Sequence, residues 1–257
     1  MLQARGYRRL AVAQETRLGL AELTFKGKEW QNVRTALNRA AKTGVQAVWG
    51  RYSEFSPSLR AQLSEVSEEW AAQKSVPEMG FTLGGLDELE DDEVLCCLAV
   101  DAEGRVHGVT SWLPVYDDGT LVSWTLDFMR RRGDAFPGVM EFLIASAVLE
   151  LRDSVEVISL SGSPLAKDDA RGESGDGPKA GEGLAGILDV VGRALEPVYG
   201  FRSLATFKSR FKPEYRTLYL YYQDPLQLPA MGRALSRAYL PDLSVRQSAR
   251  LLRTLVR

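Results

Sequence analysis

Apolar positions recur along the 257-residue chain with two alternating periods, which predicts an α/β order. Residues 7–13 and 18–24 read as short strands. A helical repeat follows over about 29–42, closed by Gly44, and then a strand at 45–50. Ser56-Pro57 supplies an N-cap and a first helical residue for an amphipathic helix over 57–74. Strands are expected at 94–101, 106–114 and 120–128, the first two joined by the turn Asp101-Ala102-Glu103-Gly104. A helix at 138–152 and a strand at 155–160 come next. Helices at about 184–196 and 202–210, a tyrosine-rich strand at 216–222, and helices at 227–239 and 243–256 complete the pattern. The stretch 166–183, AKDDARGESGDGPKAGEG, is too polar and glycine-rich to bury a core, and reads as a flexible insert.

Composition narrows the class. Hydrophobic content of 45% and charge of 26% are ordinary for a soluble globular protein. No apolar run reaches the roughly 18 residues of a membrane span. Arg5, Arg8 and Arg9 near the start precede no apolar core, so a signal peptide is not expected. The two cysteines, Cys96 and Cys97, are adjacent in an apolar strand, which favours buried thiols, a reducing compartment and a cytoplasmic location. The single histidine, His107, sits in a strand with no cysteine or acid partner apparent, against serine-triad or zinc chemistry.

A net charge of −2 conceals segregation. Segment 26–42 carries Lys26, Lys28, Arg34, Arg39 and Lys42 against Glu29, and segment 202–216 carries Arg202, Lys208, Arg210, Lys212 and Arg216 against Glu214. From 233 onward there are six arginines and one acid, Asp242. These patches suit a polyanion such as RNA or an anionic lipid surface, or are simply solvated helix faces. In the helix over 29–42, Trp30, Val33 and Leu37 share one face, while Gln31, Arg34, Asn38 and Lys42 share another. The tyrosines at 215, 219, 221 and 222 read as strand packing before base stacking.

The densest candidate chemistry is at 121–142, LVSWTLDFMRRRGDAFPGVMEF. A strand ends with Asp127 and Arg130, and a helix opens at about Gly138 with Glu141 in its first turn. Asp127 and Arg130 are candidate functional groups or an ordinary ion pair. Arg130, Gly133 and Ala135 also satisfy the R-x-x-G-x-A spacing of acyl-CoA N-acyltransferases, a weak match of three positions.

The words DFMRR and DAFPGVMEF resemble the signature of the bacterial aminoacyl-phosphatidylglycerol synthases (MprF-type, phosphatidylglycerol lysyltransferase-like). FKGKEWQNVRTALNRAAKTG at 25–44 and YGFRSLATFKSRFKPEYRTLYLYY at 199–222 agree with the same family, in order. The resemblance implies an acyl-CoA N-acyltransferase (GNAT)-like mixed sheet with flanking helices. It implies the second lobe of a tandem arrangement, with 1–25 a remnant of a first lobe and 26–257 the aminoacyltransferase lobe. Its chemistry is transfer of an aminoacyl group from aminoacyl-tRNA to a hydroxyl of an anionic phospholipid at the membrane surface, with no cofactor and no metal. Asp127, Arg130 and Lys208 are then the expected catalytic residues. Lys28, Gln31, Arg34, Asn38, Glu141, Ser163 and Arg210 are the expected substrate contacts. Self-association, or a partner supplying the missing lobe, is a further expectation. The alternatives are an acyl-CoA-dependent N-acyltransferase and a non-catalytic tRNA- or membrane-binding remnant.

Overall fold

The computed structural model describes residues 2–21, 23–72, 84–164 and 201–239. Its strands are β1 (Arg8–Gly19), β2 (Gln46–Gly50), β3 (Leu95–Val100), β4 (Val106–Asp117), β5 (Thr120–Arg131), β6 (Val157–Pro164) and β7 (Glu214–Tyr222). Its α-helices are α1 (Gln31–Lys42), α2 (Pro57–Ala72), α3 (Val139–Leu151), α4 (Phe201–Ser209) and α5 (Leu228–Tyr239). The strands form one sheet in the order β2-β3-β4-β5-β6-β1-β7. Every described pairing is antiparallel except β5 with β6, whose parallel run needs the crossover that α3 provides. This is the expected mixed sheet with flanking helices.

Alternation along β3 divides the core between the two faces. Cys96 and Leu98 join Leu63, Val66 and Phe128 under α2, while Cys97 and Ala99 join Ala36, Ala40, Val139 and Leu143 under α1 and α3. The two thiols are free and buried, and burial pushes that of Cys96 up to about 12. α3 is buried on nearly all sides because it is covered by α1 as well as by the sheet. Its cap, Gly138, has φ 100°, and a β-carbon there would stand 2.9 Å from the Ala36 Cβ, so the α1–α3 approach depends on glycine. Ser56 Oγ accepts from the Leu59 N–H, the expected cap of α2.

Several boundaries differ from the expected ones. The two short strands at the start are one 12-residue strand, β1, which pairs with β6 on one side and β7 on the other. β1 is the second strand from one edge of the sheet. β4 runs past Pro114 because Asp118 and Gly119 adopt φ 46° and 76°, the left-handed pair of a tight hairpin turn, and β5 runs past Phe128 because Met129, Arg130 and Arg131 pair with Thr110, Val109 and Gly108. The insert at 166–183 and the helices expected at 184–196 and 243–256 lie outside the described residues.

Candidate active site

The site begins with an irregularity in β5. Trp112 pairs with Leu126 and Thr110 with Met129, so Asp127 and Phe128 stand opposite the single residue Ser111. This is a β-bulge, and Ser111 Oγ accepts the Phe128 N–H at 3.0 Å. The extra residue breaks the alternation. Leu126 packs in the cluster beneath α3, whereas Phe128, two positions on, packs in the cluster beneath α2.

Asp127 turns to the α2 side as well, against Gly84 and near Glu88. Burial raises its pKa above the ordinary carboxylate value, the Glu88 charge raises it further, and a hydrogen bond from the Gly84 N–H opposes both. Pairing between β5 and β6 stops at Thr125–Ser159, two residues before Asp127. The carboxylate therefore stands at the rim of the opening where these parallel strands part.

The other wall of the opening is β6. Ser161 has φ 68°, and its N–H is held by Ser159 Oγ at 3.1 Å. The carbonyls of Ser161 and Gly162 receive Lys208 Nζ, from α4, at 3.5 and 3.3 Å. Lys208 is only 3% exposed, and burial lowers its pKa to about 8. Arg210 Nη1 meets Glu141 Oε1 at 2.6 Å, tying the end of α4 to the first turn of α3. Lys212 Nζ lies 3.8 Å from Glu29 and over the Trp30 ring, so the two basic segments are neighbours in space.

The remaining expected residues fall in different places. Arg130 is buried: its guanidinium stacks on Trp70 and Phe128 and donates to Ser67 Oγ. No bond between Asp127 and Arg130 forms the ordinary ion pair considered above; Arg130 faces α2 from inside the wall. Arg34 donates to the carbonyls of Phe25 and Gly27 and shapes the loop before α1. Lys28, Gln31 and Asn38 are exposed. Ser163 lies on β6 opposite Gln14, and its side chain is outside the described residues. His107 does have an acid partner, Asp101, at 2.8 Å across a tight turn.

The R-x-x-G-x-A loop is already occupied. Gly133 N–H donates to Glu69 Oε1 at 2.7 Å, Arg132 pairs with Glu65 at 2.7 Å, and Arg105 pairs with Asp134 at 2.6 Å. A carboxylate from α2 thus stands where a pyrophosphate would need an amide. A separate groove of about 750 Å³ lies at the opposite, N-terminal end of β6, lined by charges of both signs including Glu15, Arg17, Asp117 and Arg216. Gly84, Glu88, Glu69 and Ser161 were missed in the sequence; the Gly84-Gly85 doublet was the one local signal.

The described site is thus a parted parallel strand pair, with Asp127 beside a bulge on one wall and the buried Lys208 on the other. The family model for the C-terminal domain of phosphatidylglycerol lysyltransferase matches residues 1–222, and the chain belongs to that family. It is 48% identical over 238 residues to an uncharacterized protein of Corynebacterium glutamicum, covering 92% of this chain and 29% of that protein. It is 26% identical over 219 residues to the phosphatidylglycerol lysyltransferase of Bacillus subtilis, covering 85% of this chain and 24% of that one. The chain thus spans less than a third of these relatives. The structure of L-PGS from Bacillus licheniformis superposes with a TM-score of 0.70 at 24% identity, over 91% of this chain and 69% of that one, a likeness of fold. No helix among the described residues is long and apolar enough to cross a membrane.

Proposed function

We propose that this domain transfers an aminoacyl group from aminoacyl-tRNA to a hydroxyl of an anionic phospholipid such as phosphatidylglycerol. The observation that carries the reading is the strand opening, with Asp127 at its rim towards α2 and Lys208 held on the Ser161 and Gly162 carbonyls from α4. An acceptor hydroxyl at Asp127 loses its proton to the carboxylate as its oxygen attacks the ester carbonyl carbon. The carbonyl oxygen becomes the oxyanion, which the Lys208 ammonium stabilises. Collapse breaks the ester bond to the tRNA ribose, whose oxygen takes the proton back from Asp127. The ester is already activated, so atoms and charge balance with no further reactant.

Arg130 serves this reading from behind, stiffening the wall beside Asp127 between Trp70 and Phe128. Arg210 and Glu141 hold α4 on α3 and so set the depth of Lys208. Lys28, Gln31 and Asn38 stand exposed for phosphate and ribose, Arg34 frames their loop, and Ser163 continues the β6 wall. Removing negative charge from the lipid would lower a membrane's attraction for cationic peptides.

Incubation with radiolabelled aminoacyl-tRNAs and phosphatidylglycerol vesicles, followed by lipid chromatography, tests the proposal. Label entering the lipid supports it. Acetyl-CoA turnover instead, or RNA binding without any transfer, would overturn it.

A further inference from the structure

A second carboxylate stands beside Asp127. The 3-10 turn Asp87–Glu90 carries Glu88, and Leu89 within that turn is 1% exposed in the cluster that also holds Phe128. Leu86 packs on the same cluster, so the turn is pinned to β5 next to Asp127. Glu88 Oε2 accepts the Gly85 N–H at 2.7 Å, while the Gly84 N–H donates to Asp127. Successive amides of one glycine doublet thus hold the two acids, and their carboxylates are neighbours at the rim of the opening.

The pair lacks a counter-charge. Among the described residues no lysine, arginine or histidine forms an ion pair with Glu88 or Asp127. Arg130, three residues along the strand, faces Ser67, Trp70 and Phe128, and Lys208 reaches the Ser161 and Gly162 carbonyls from α4. The bond from Gly85 occupies Glu88 Oε2 and leaves Oε1 without a hydrogen bond to any described residue. Two carboxylates held side by side repel, and the Glu88 charge raises the pKa of Asp127.

The donor of the proposed reaction brings a cation to this place. In every aminoacyl ester the α-amino group sits on the carbon next to the carbonyl under attack, and a free α-amino group is cationic at neutral pH. The acid that takes the acceptor's proton and an acid that receives the α-ammonium must therefore lie close together, as Asp127 and Glu88 do. We infer that Glu88 receives the α-ammonium of the aminoacyl donor, so that the site selects donors with a free α-amino group. The inference rests on the proposed transfer reaction and adds the residue that orients the reacting ester. The ammonium donates to Glu88 Oε1 and sets the carbonyl carbon before the hydroxyl held at Asp127. Its charge also offsets that of Glu88, which favours the ionised, basic form of Asp127 once the donor is seated.

The test uses bulk tRNA charged with labelled amino acids, half of it treated with nitrous acid to replace the α-amino group by a hydroxyl with the ester intact. Initial rates of label transfer to phosphatidylglycerol vesicles are compared for the two donors. The wild-type protein should favour the amino donor about 10- to 100-fold, the effect of one charge-assisted hydrogen bond. Glu88→Gln keeps an acceptor for the Gly85 N–H, so its circular dichroism should match wild type. It should lose most of the preference by slowing the amino donor without slowing the hydroxyl donor. A wild-type protein with no preference, or a folded Glu88→Gln protein that keeps it in full, would overturn the role of Glu88 and leave the donor assignment standing. Transfer from neither donor would remove the donor assignment, and this inference with it.

Discussion

The backbone N–H of Gly84 donates to the Asp127 carboxylate, and a β-carbon at Gly84 would stand 1.9 Å from Asp127 Oδ2. Only glycine lets the chain come so near. The bond is also the one contact opposing burial and Glu88, both of which favour the protonated acid. Gly84 therefore sets both the position and the charge of the proposed base.

Gly84→Ala should lower transfer on the order of 10²-fold, because the methyl must displace either the carboxylate or the loop by an ångström or more. Initial rates on a variant with wild-type circular dichroism measure this. A wild-type rate would disconnect Gly84 from the chemistry.

Asp127→Asn should cost about 10²–10⁴-fold in transfer. Stability should move the other way. With its pKa raised in the fold, Asp127 binds more protons folded than unfolded between the ordinary 3.8 and the raised value, so stability falls as pH rises through that window. Above it, the ionised carboxylate is a standing cost that asparagine removes. The thermal midpoint of Asp127→Asn at neutral pH should be higher than wild type, and a clearly lower one would mean that the carboxylate is structural.

Lys208 should give the alkaline limb of a bell-shaped pH–rate profile. Transfer needs its ammonium and should decline as pH rises through about 8, while the acid limb follows Asp127. Between about 8 and 10.5 the unfolded chain holds a proton that the folded one has lost, so wild-type stability should rise with pH there. Lys208→Met should flatten that rise and cost about 10²–10³-fold in rate. Single-turnover assays and denaturant titrations across this range read both effects. An alkaline limb that survives in Lys208→Met belongs to another group.

Acetyl-CoA should leave the thermal midpoint of the protein unchanged at millimolar concentration. The Gly133 N–H is taken by Glu69, Arg132 by Glu65, and Arg130 lies under α2. A concentration-dependent rise in the midpoint would show that these carboxylates yield to a pyrophosphate.

Much of the framework was legible in the order of residues. Periodicity placed α1, α2, α3 and the inner strands, because each buries one face or both and local spacing records which. Ser56-Pro57 opened α2 as expected, and the mixed helical face of α1 buried Trp30 and Val33 while exposing Gln31 and Asn38. The FKSRF and DFMRR words pointed to the helix and strand that wall the opening. β1 was read as two strands because the bulge at Val12, opposite β7, interrupts a regular alternation.

The site itself was decided in three dimensions. Nothing local to Asp127 says that a bulge opposite Ser111 turns it with Phe128 towards α2, or that Gly84 arrives there from 43 residues earlier in the chain. Nothing local to Lys208 says that it is buried against Ser161 and Gly162 rather than displayed with the other basic residues. Nothing local to Arg130 says that its guanidinium is buried over the Trp70 and Phe128 rings inside the wall. Spacing along a strand or helix reports which residues share a face. The groups that set a side chain's pKa and reach come from elements distant in sequence, and only their packing brings them together.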